Sequence, residues 1–114
     1  MTDARDLYHR WIYELWAGKP SAAEVVADDF VGHWPSRDVH GPAELQSIID
    51  ETLQMFDELT FDIEVRPLVD GELVAARWRG RGKSGEAITV FFGNDILRLA
   101  DGRFVEYWTG TSAG

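Results

Sequence analysis

At 114 residues the chain is long enough for one hydrophobic core, and a single domain over residues 1–114 is expected. It contains no cysteine, which excludes disulfides, thiolate metal ligands and cysteine nucleophiles. A formal net charge of −9 argues against general binding to nucleic acid or to anionic membranes.

The N-terminal run has no basic segment leading into an apolar one, and no apolar stretch approaches the ~20 residues that span a bilayer. A soluble, cytoplasmic protein is expected. Thr2 or Asp3 can cap a first helix whose Leu7, Trp11, Ile12, Leu15 and Trp16 recur at helical spacing. Gly18-Lys19-Pro20 should stop it. Ser21 to Glu24 has the capping-box pattern for a short second helix that carries Val25 and Val26, with Asp28-Asp29 ending the turn. Phe30 to Trp34 reads as a short strand or extended segment, and the polar run Ser36 to Gly41 as a loop. Gly41-Pro42 opens a third helix, in which Leu45, Ile48, Ile49, Thr52, Leu53 and Phe56 face one way.

From Thr60 the period changes to two. Phe61, Ile63 and Val65 alternate with Asp62, Glu64 and Arg66 until Pro67 interrupts. Asp70-Gly71, Ser84-Gly85 and Asp101-Gly102 mark three chain reversals. Helices followed by a strand meander predict an α+β domain: a four- to five-stranded antiparallel sheet with the helices on one face. Charge is unevenly spread. Residues 1–64 carry 14 acidic and 4 basic side chains, the remainder 6 and 7. The basic tract Arg77 to Lys83 continues a strand pattern, so its arginines are expected on one face, meeting carboxylates of a neighbouring element or subunit.

Alternation along the strand before Asp101-Gly102 puts Phe91, Gly93, Asp95, Leu97 and Leu99 on one face and Phe92, Asn94, Ile96 and Arg98 on the other. Asp95 is therefore a lone carboxylate among apolar neighbours, and such groups are rarely buried unless paired or used. His33 lies in the apolar run Phe-Val-Gly-His-Trp-Pro. It is either a hydrogen-bonded core residue or a proton donor or acceptor facing a pocket. His9 and His40 are expected at the surface. Three scattered histidines make a poor ligand set, so no metal is expected. No phosphate loop, dinucleotide fingerprint or GxSxG elbow is present, and no cofactor is expected. Five tryptophans and six phenylalanines are many rings for this length, enough to line a deep apolar pocket as well as fill a core.

Three helices, the Phe-Val-Gly-His-Trp-Pro segment, the Gly-Pro-Ala-Glu-Leu helix start and the stretch Asn94 to Trp108 together resemble SnoaL-like polyketide cyclases of the nuclear-transport-factor-2-like (cystatin-like) group. The likeness covers nearly the whole chain. It implies a cone-shaped curved antiparallel sheet wrapped around three N-terminal helices, with an apolar cavity inside, and commonly a homodimer. His33 matches the family's histidine. The family's cyclases usually carry an aspartate directly after the final Trp, facing the pocket; Thr109 stands there instead. Glu106 falls on the face opposite Thr109 and is expected to pair with Arg98 across the hairpin.

The resulting expectation is a cone that binds a small hydrophobic molecule of polyketide or carbonyl type. Asp95 would act as general base with His33 as its partner in a cyclisation or isomerisation. Trp11, Trp34, Phe56, Phe91, Tyr107 and Thr109 are expected to contact the ligand. The alternatives are a non-catalytic ligand-binding module, a dimerisation module, and an epoxide-hydrolase-like enzyme in which Arg77 or Arg79 would work between two acids. A homodimer is expected to cover Trp78, Phe92, Ile96, Phe104 and Trp108 on the outer sheet face.

Overall fold

The computed structural model describes residues 3–113; Thr2, one of the two expected caps, lies outside them. Asp3 caps helix α1 (Ala4–Arg10), its side chain accepting from the Arg5 N–H at 2.8 Å. The helix then widens into a π-helical turn, Trp11–Leu15, where the Trp16 N–H reaches back five residues to the Trp11 carbonyl at 3.1 Å. The wider turn stacks residues five apart, so Trp11, Ile12, Leu15 and Trp16 are all buried on one side. Gly18, at φ +101°, closes the helix, and the Lys19 N–H bonds the Glu14 carbonyl.

Helix α2 (Ala22–Val25) lacks the expected capping box. The Ser21 hydroxyl caps nothing and is buried without a partner, while Glu24 turns outward to Arg10. Strand β1 (Val26–Trp34) starts earlier than the sequence suggests and runs through Asp28-Asp29 with an irregular register between Val26 and Val31. The run expected to be a loop forms strand β2 (Arg37–His40), antiparallel to β1. Helix α3 (Gly41–Gln54) follows, buried through Leu45 and Ile49. Strands β3 (Glu58–Asp70), β4 (Leu73–Ser84), β5 (Ala87–Ala100) and β6 (Arg103–Ala113) then form the meander. The turns sit where Gly71, Gly85 and the pair Asp101-Gly102 have positive φ. Pro67 does not end β3; it lies where the register with β4 shifts between Val65 and Leu68.

Among the described residues the sheet has six strands, in the order β2-β1-β6-β5-β4-β3. It is mixed, not purely antiparallel, because β1 pairs parallel to β6. The helices cover its inner face, and the core lies between them, built around Trp11, Tyr8, Phe30, Phe104 and Leu97.

Two rings expected outside are inside. Trp78 alternates with Arg77 and Arg79 and so points with Ala76 and Gly80 into the core, where it is 8% exposed. Phe104 is fully buried against Trp11 because the register shifts between Arg98 and Leu99. Arg98 faces Glu106 and Leu99 faces Phe104, leaving Val105 as an extra residue that resets the alternation.

The inner face is made concave partly by glycines. Gly80 lies under the Phe91 ring, Gly82 under Phe56 and Gly93 under Trp78, each so close that a Cβ would collide with the ring. Rings therefore lie flat over the neighbouring strand. The arginines of β4 share one face, as expected, and because Trp78 points inward that face is the outer one. Arg77 lies over the Phe92 ring at 4.7 Å and bonds Glu64 at 2.6 Å.

Candidate functional site

Between the helices and the sheet is a cavity of about 220 Å³. Of the residues expected to contact a ligand, Trp11, Trp34, Phe91 and Tyr107 line it. The π-helical turn adds Ile12 and Trp16, helix α3 adds Thr52, and the strands add Phe61, Trp78 and Thr111. The rings hold one another edge to face. Trp34 meets Tyr107 at 4.9 Å between centroids, and Phe61 meets Trp78 at 5.3 Å.

Behind two of these wall residues lies Asp95, 1% exposed. Its Oδ1 accepts from Trp78 Nε1 at 3.0 Å, the Tyr107 hydroxyl at 2.8 Å and the Thr109 hydroxyl at 2.9 Å. Its Oδ2 accepts from the Tyr8 hydroxyl at 2.8 Å. The donors come from α1, β4 and β6, so the site exists only once helix and sheet have docked. Burial pushes the Asp95 carboxyl up from the ordinary carboxylate range, and the four hydrogen bonds, Tyr8 first, oppose that shift without cancelling it. Burial likewise raises the Tyr8 and Tyr107 phenols, and the adjacent Asp95 charge adds to it. Both tyrosines are thus held as neutral O–H donors.

The profile of the SnoaL-like domain matches residues 8–107. The chain belongs to the SnoaL-like domain family. Solved structures agree. IdmH, a candidate polyketide cyclase from Streptomyces antibioticus, superposes with a TM-score of 0.83 at 22% identity, over 96% of this chain and 93% of that one. A candidate polyketide cyclase from Bacillus cereus gives 0.82 at 27% identity, over 93% and 72%. A candidate SnoaL-like polyketide cyclase from Jannaschia gives 0.81 at 17%, over 94% and 83%. No curated protein sequence matches this one significantly. The fold is the nuclear-transport-factor-2-like cone.

In this SnoaL-like chain Thr109 stands directly across from Asp95 in the β5–β6 register. Thr109 does not line the cavity; it holds the carboxylate. Asp95 thus delivers a carboxylate from β5 to the neighbourhood where the family resemblance puts an aspartate on β6. Phe56 also stands back from the cavity, stacked on Phe91 with centroids 6.2 Å apart.

His33 and Asp95 are not brought together. His33 pairs across strands with Trp108, which alternates with Tyr107, so the histidine lies on the outer face of the sheet. Its Nδ1 is 3.0 Å from Asp38 and its Nε2 2.8 Å from Glu106, and its ring stacks on Trp108. The hydrogen bond to Glu106, then that to Asp38, raises its pKa above 6.5. Glu106 also meets Arg98 at 3.8 Å, as expected across the hairpin, while the shorter partner of Arg98 is Glu72 at 2.7 Å. His9 and His40 are exposed. No cluster able to hold a metal ion occurs among the described residues, and no described helix is long and apolar enough to cross a membrane.

The sequence pattern does not single out Tyr8 behind the cavity, nor Ile12, Trp16, Thr52, Phe61, Trp78 and Thr111 on its wall. For Trp78 a signal existed: strict alternation with Arg77, Arg79 and Arg81 places it inward. For Tyr8 the sequence shows only a helical neighbour of Leu7, with nothing to connect it to a strand 87 positions away.

Proposed function

We propose that this protein binds a small, mostly apolar molecule in its cone and moves a proton on it. Asp95 is the proton-exchanging group and Tyr107 its link to the cavity. The observation that carries the reading is the hydrogen bond from Tyr107, a cavity wall residue, to a carboxylate that is 1% exposed. A phenol held neutral can relay a proton only in concert. As the ligand gives a proton to the Tyr107 oxygen, Tyr107 passes its own to Asp95 Oδ1, and the reverse returns it at another position. A carboxyl raised by burial takes and releases a proton nearer neutral pH than an ordinary one, which favours general-base work. A cyclisation or isomerisation of a carbonyl compound needs only this. His33, on the outer face, has no part in it.

The test uses 2-tetralone in deuterium oxide, with exchange at its α-carbons followed by NMR. Wild type should accelerate exchange, and Asp95→Asn should remove about 10²–10⁴-fold of that acceleration. Tyr107→Phe should also lower it while preserving binding. One observation favours a second reading, a binder without turnover: four donors already occupy the carboxylate. Binding of tetralone with no accelerated exchange would decide for the binder.

The outer face supports a homodimer. Phe92, Ile96 and Trp108 remain there, joined by Leu68, and Ile96 and Leu68 are 47% and 64% exposed. A sheet-to-sheet pair would bury this stripe.

A further inference from the structure

Seven of the ten residues around the cavity present aromatic rings, and none of the ten is charged. Behind this wall Asp95 is 1% exposed, and among the described residues no Lys, Arg or His stands within 4.0 Å of it. Its four partners are neutral donors. Buried charges in proteins are normally paired with an opposite charge, since neutral hydrogen bonds offset only part of the cost of desolvation. Some exposed carboxylates have a cation, as Glu64 has Arg77, Glu72 has Arg98 and Glu24 has Arg10, and the unpaired ones are hydrated. Asp95, behind the cavity wall, has neither a cation among the described residues nor exposure to water.

We propose that the cone takes an organic cation, a quaternary or protonated tertiary ammonium on a small ring system. Its positive group would lie among the rings of Phe61, Trp78 and Tyr107 and supply the counter-charge that Asp95 lacks. Three features of the site act together. Ring faces attract a cation through their quadrupole, most strongly where water is excluded. The anion stands one hydrogen bond behind two of those rings, so its field reaches the cavity through low-dielectric material. The net charge of −9 raises the local concentration of cations around the molecule. An anionic ligand would meet the opposite of each. A neutral ligand would use the rings and leave the carboxylate unmatched.

The inference rests on the cone being a ligand site, not on proton transfer, and its test is a binding measurement. Phenyltrimethylammonium and tert-butylbenzene have nearly the same shape and differ in charge. Their dissociation constants are measured by quenching of the cavity tryptophans and by calorimetry, in wild type, Asp95→Asn and Phe61→Leu. The quantity read is the affinity ratio of cation to neutral compound, in which the hydrophobic contribution common to all three proteins cancels. The ratio should fall at least tenfold in Asp95→Asn. It should fall about two- to fivefold in Phe61→Leu, which removes one ring and keeps an apolar side chain. If Asp95→Asn does not fold, the Phe61→Leu comparison decides. An unchanged ratio in the variants overturns the inference. So does binding of tert-butylbenzene with none of the cation, and that result leaves the apolar-ligand reading intact. Failure of both compounds to bind overturns both.

Discussion

Gly93→Ala tests the packing that shapes the cone. Gly93 is paired directly with Trp78 across β4 and β5, and a Cβ there would fall within 3.0 Å of the indole ring. The ring has nowhere to go. Its Nε1–H is bonded to Asp95 at 3.0 Å, and Phe61 and Phe91 meet it edge-on at 5.3 and 5.7 Å. Forcing a methyl into such a site costs about 1–3 kcal/mol in overpacking. Displacing the indole also breaks a hydrogen bond to a buried carboxylate, about 1.5–3 kcal/mol. Alanine regains about 0.5–1 kcal/mol over glycine through the unfolded chain. The net expectation is a loss of roughly 2–5 kcal/mol, a large share of the ~5–15 kcal/mol typical of a domain. The control is Gly110→Ala on β6, where a Cβ meets nothing within 4 Å and φ is not positive. That variant should equal wild type or gain slightly. Urea unfolding of the three proteins, with slopes checked for constancy, measures the difference. If Gly93→Ala unfolds within 0.5 kcal/mol of Gly110→Ala, the ring-over-glycine argument is refuted.

Tyr8→Phe removes, among the described residues, the donor to Asp95 Oδ2 without changing shape. It should lower stability by about 1–3 kcal/mol and raise the Asp95 carboxyl further, because a hydrogen bond that lowers it is gone; carbon-13 NMR titration of Asp95 reads that shift. For His33, whose pKa is raised on folding, the stabilisation is fully present below about 6.5 and is lost as pH rises through the folded value. The difference in urea midpoint between wild type and His33→Gln should therefore shrink from pH 6 to pH 9, and a constant difference would refute the pairing with Glu106 and Asp38. Ile96→Arg places a charge in the outer apolar stripe and should convert a dimer to monomers by light scattering at micromolar concentration. A wild-type monomer at that concentration removes the dimer.

What the sequence by itself determined is local. Asp70-Gly71, Ser84-Gly85 and Asp101-Gly102 marked turns because only certain residues accept positive φ there. Alternation put Asp95 inside and Ile96 outside because successive strand side chains point to opposite faces. The motif ending at Trp108 carried the family, and with it the cone. Only the tertiary structure decided the rest. Phe104 faces inward because one extra residue, Val105, resets a parity that composition cannot count. Residues Arg37–His40 form a strand because β1 offers them an edge, not because of their own propensity. His33 went to Glu106 and not to Asp95 because a parallel β1–β6 pairing sets its face, and that pairing joins residues more than seventy apart. The counterparts of Asp95 likewise converge from a helix and two other strands. Turn and alternation follow from sterics within a few residues. Face, register and partner depend on which distant segments dock, and no local pattern records that.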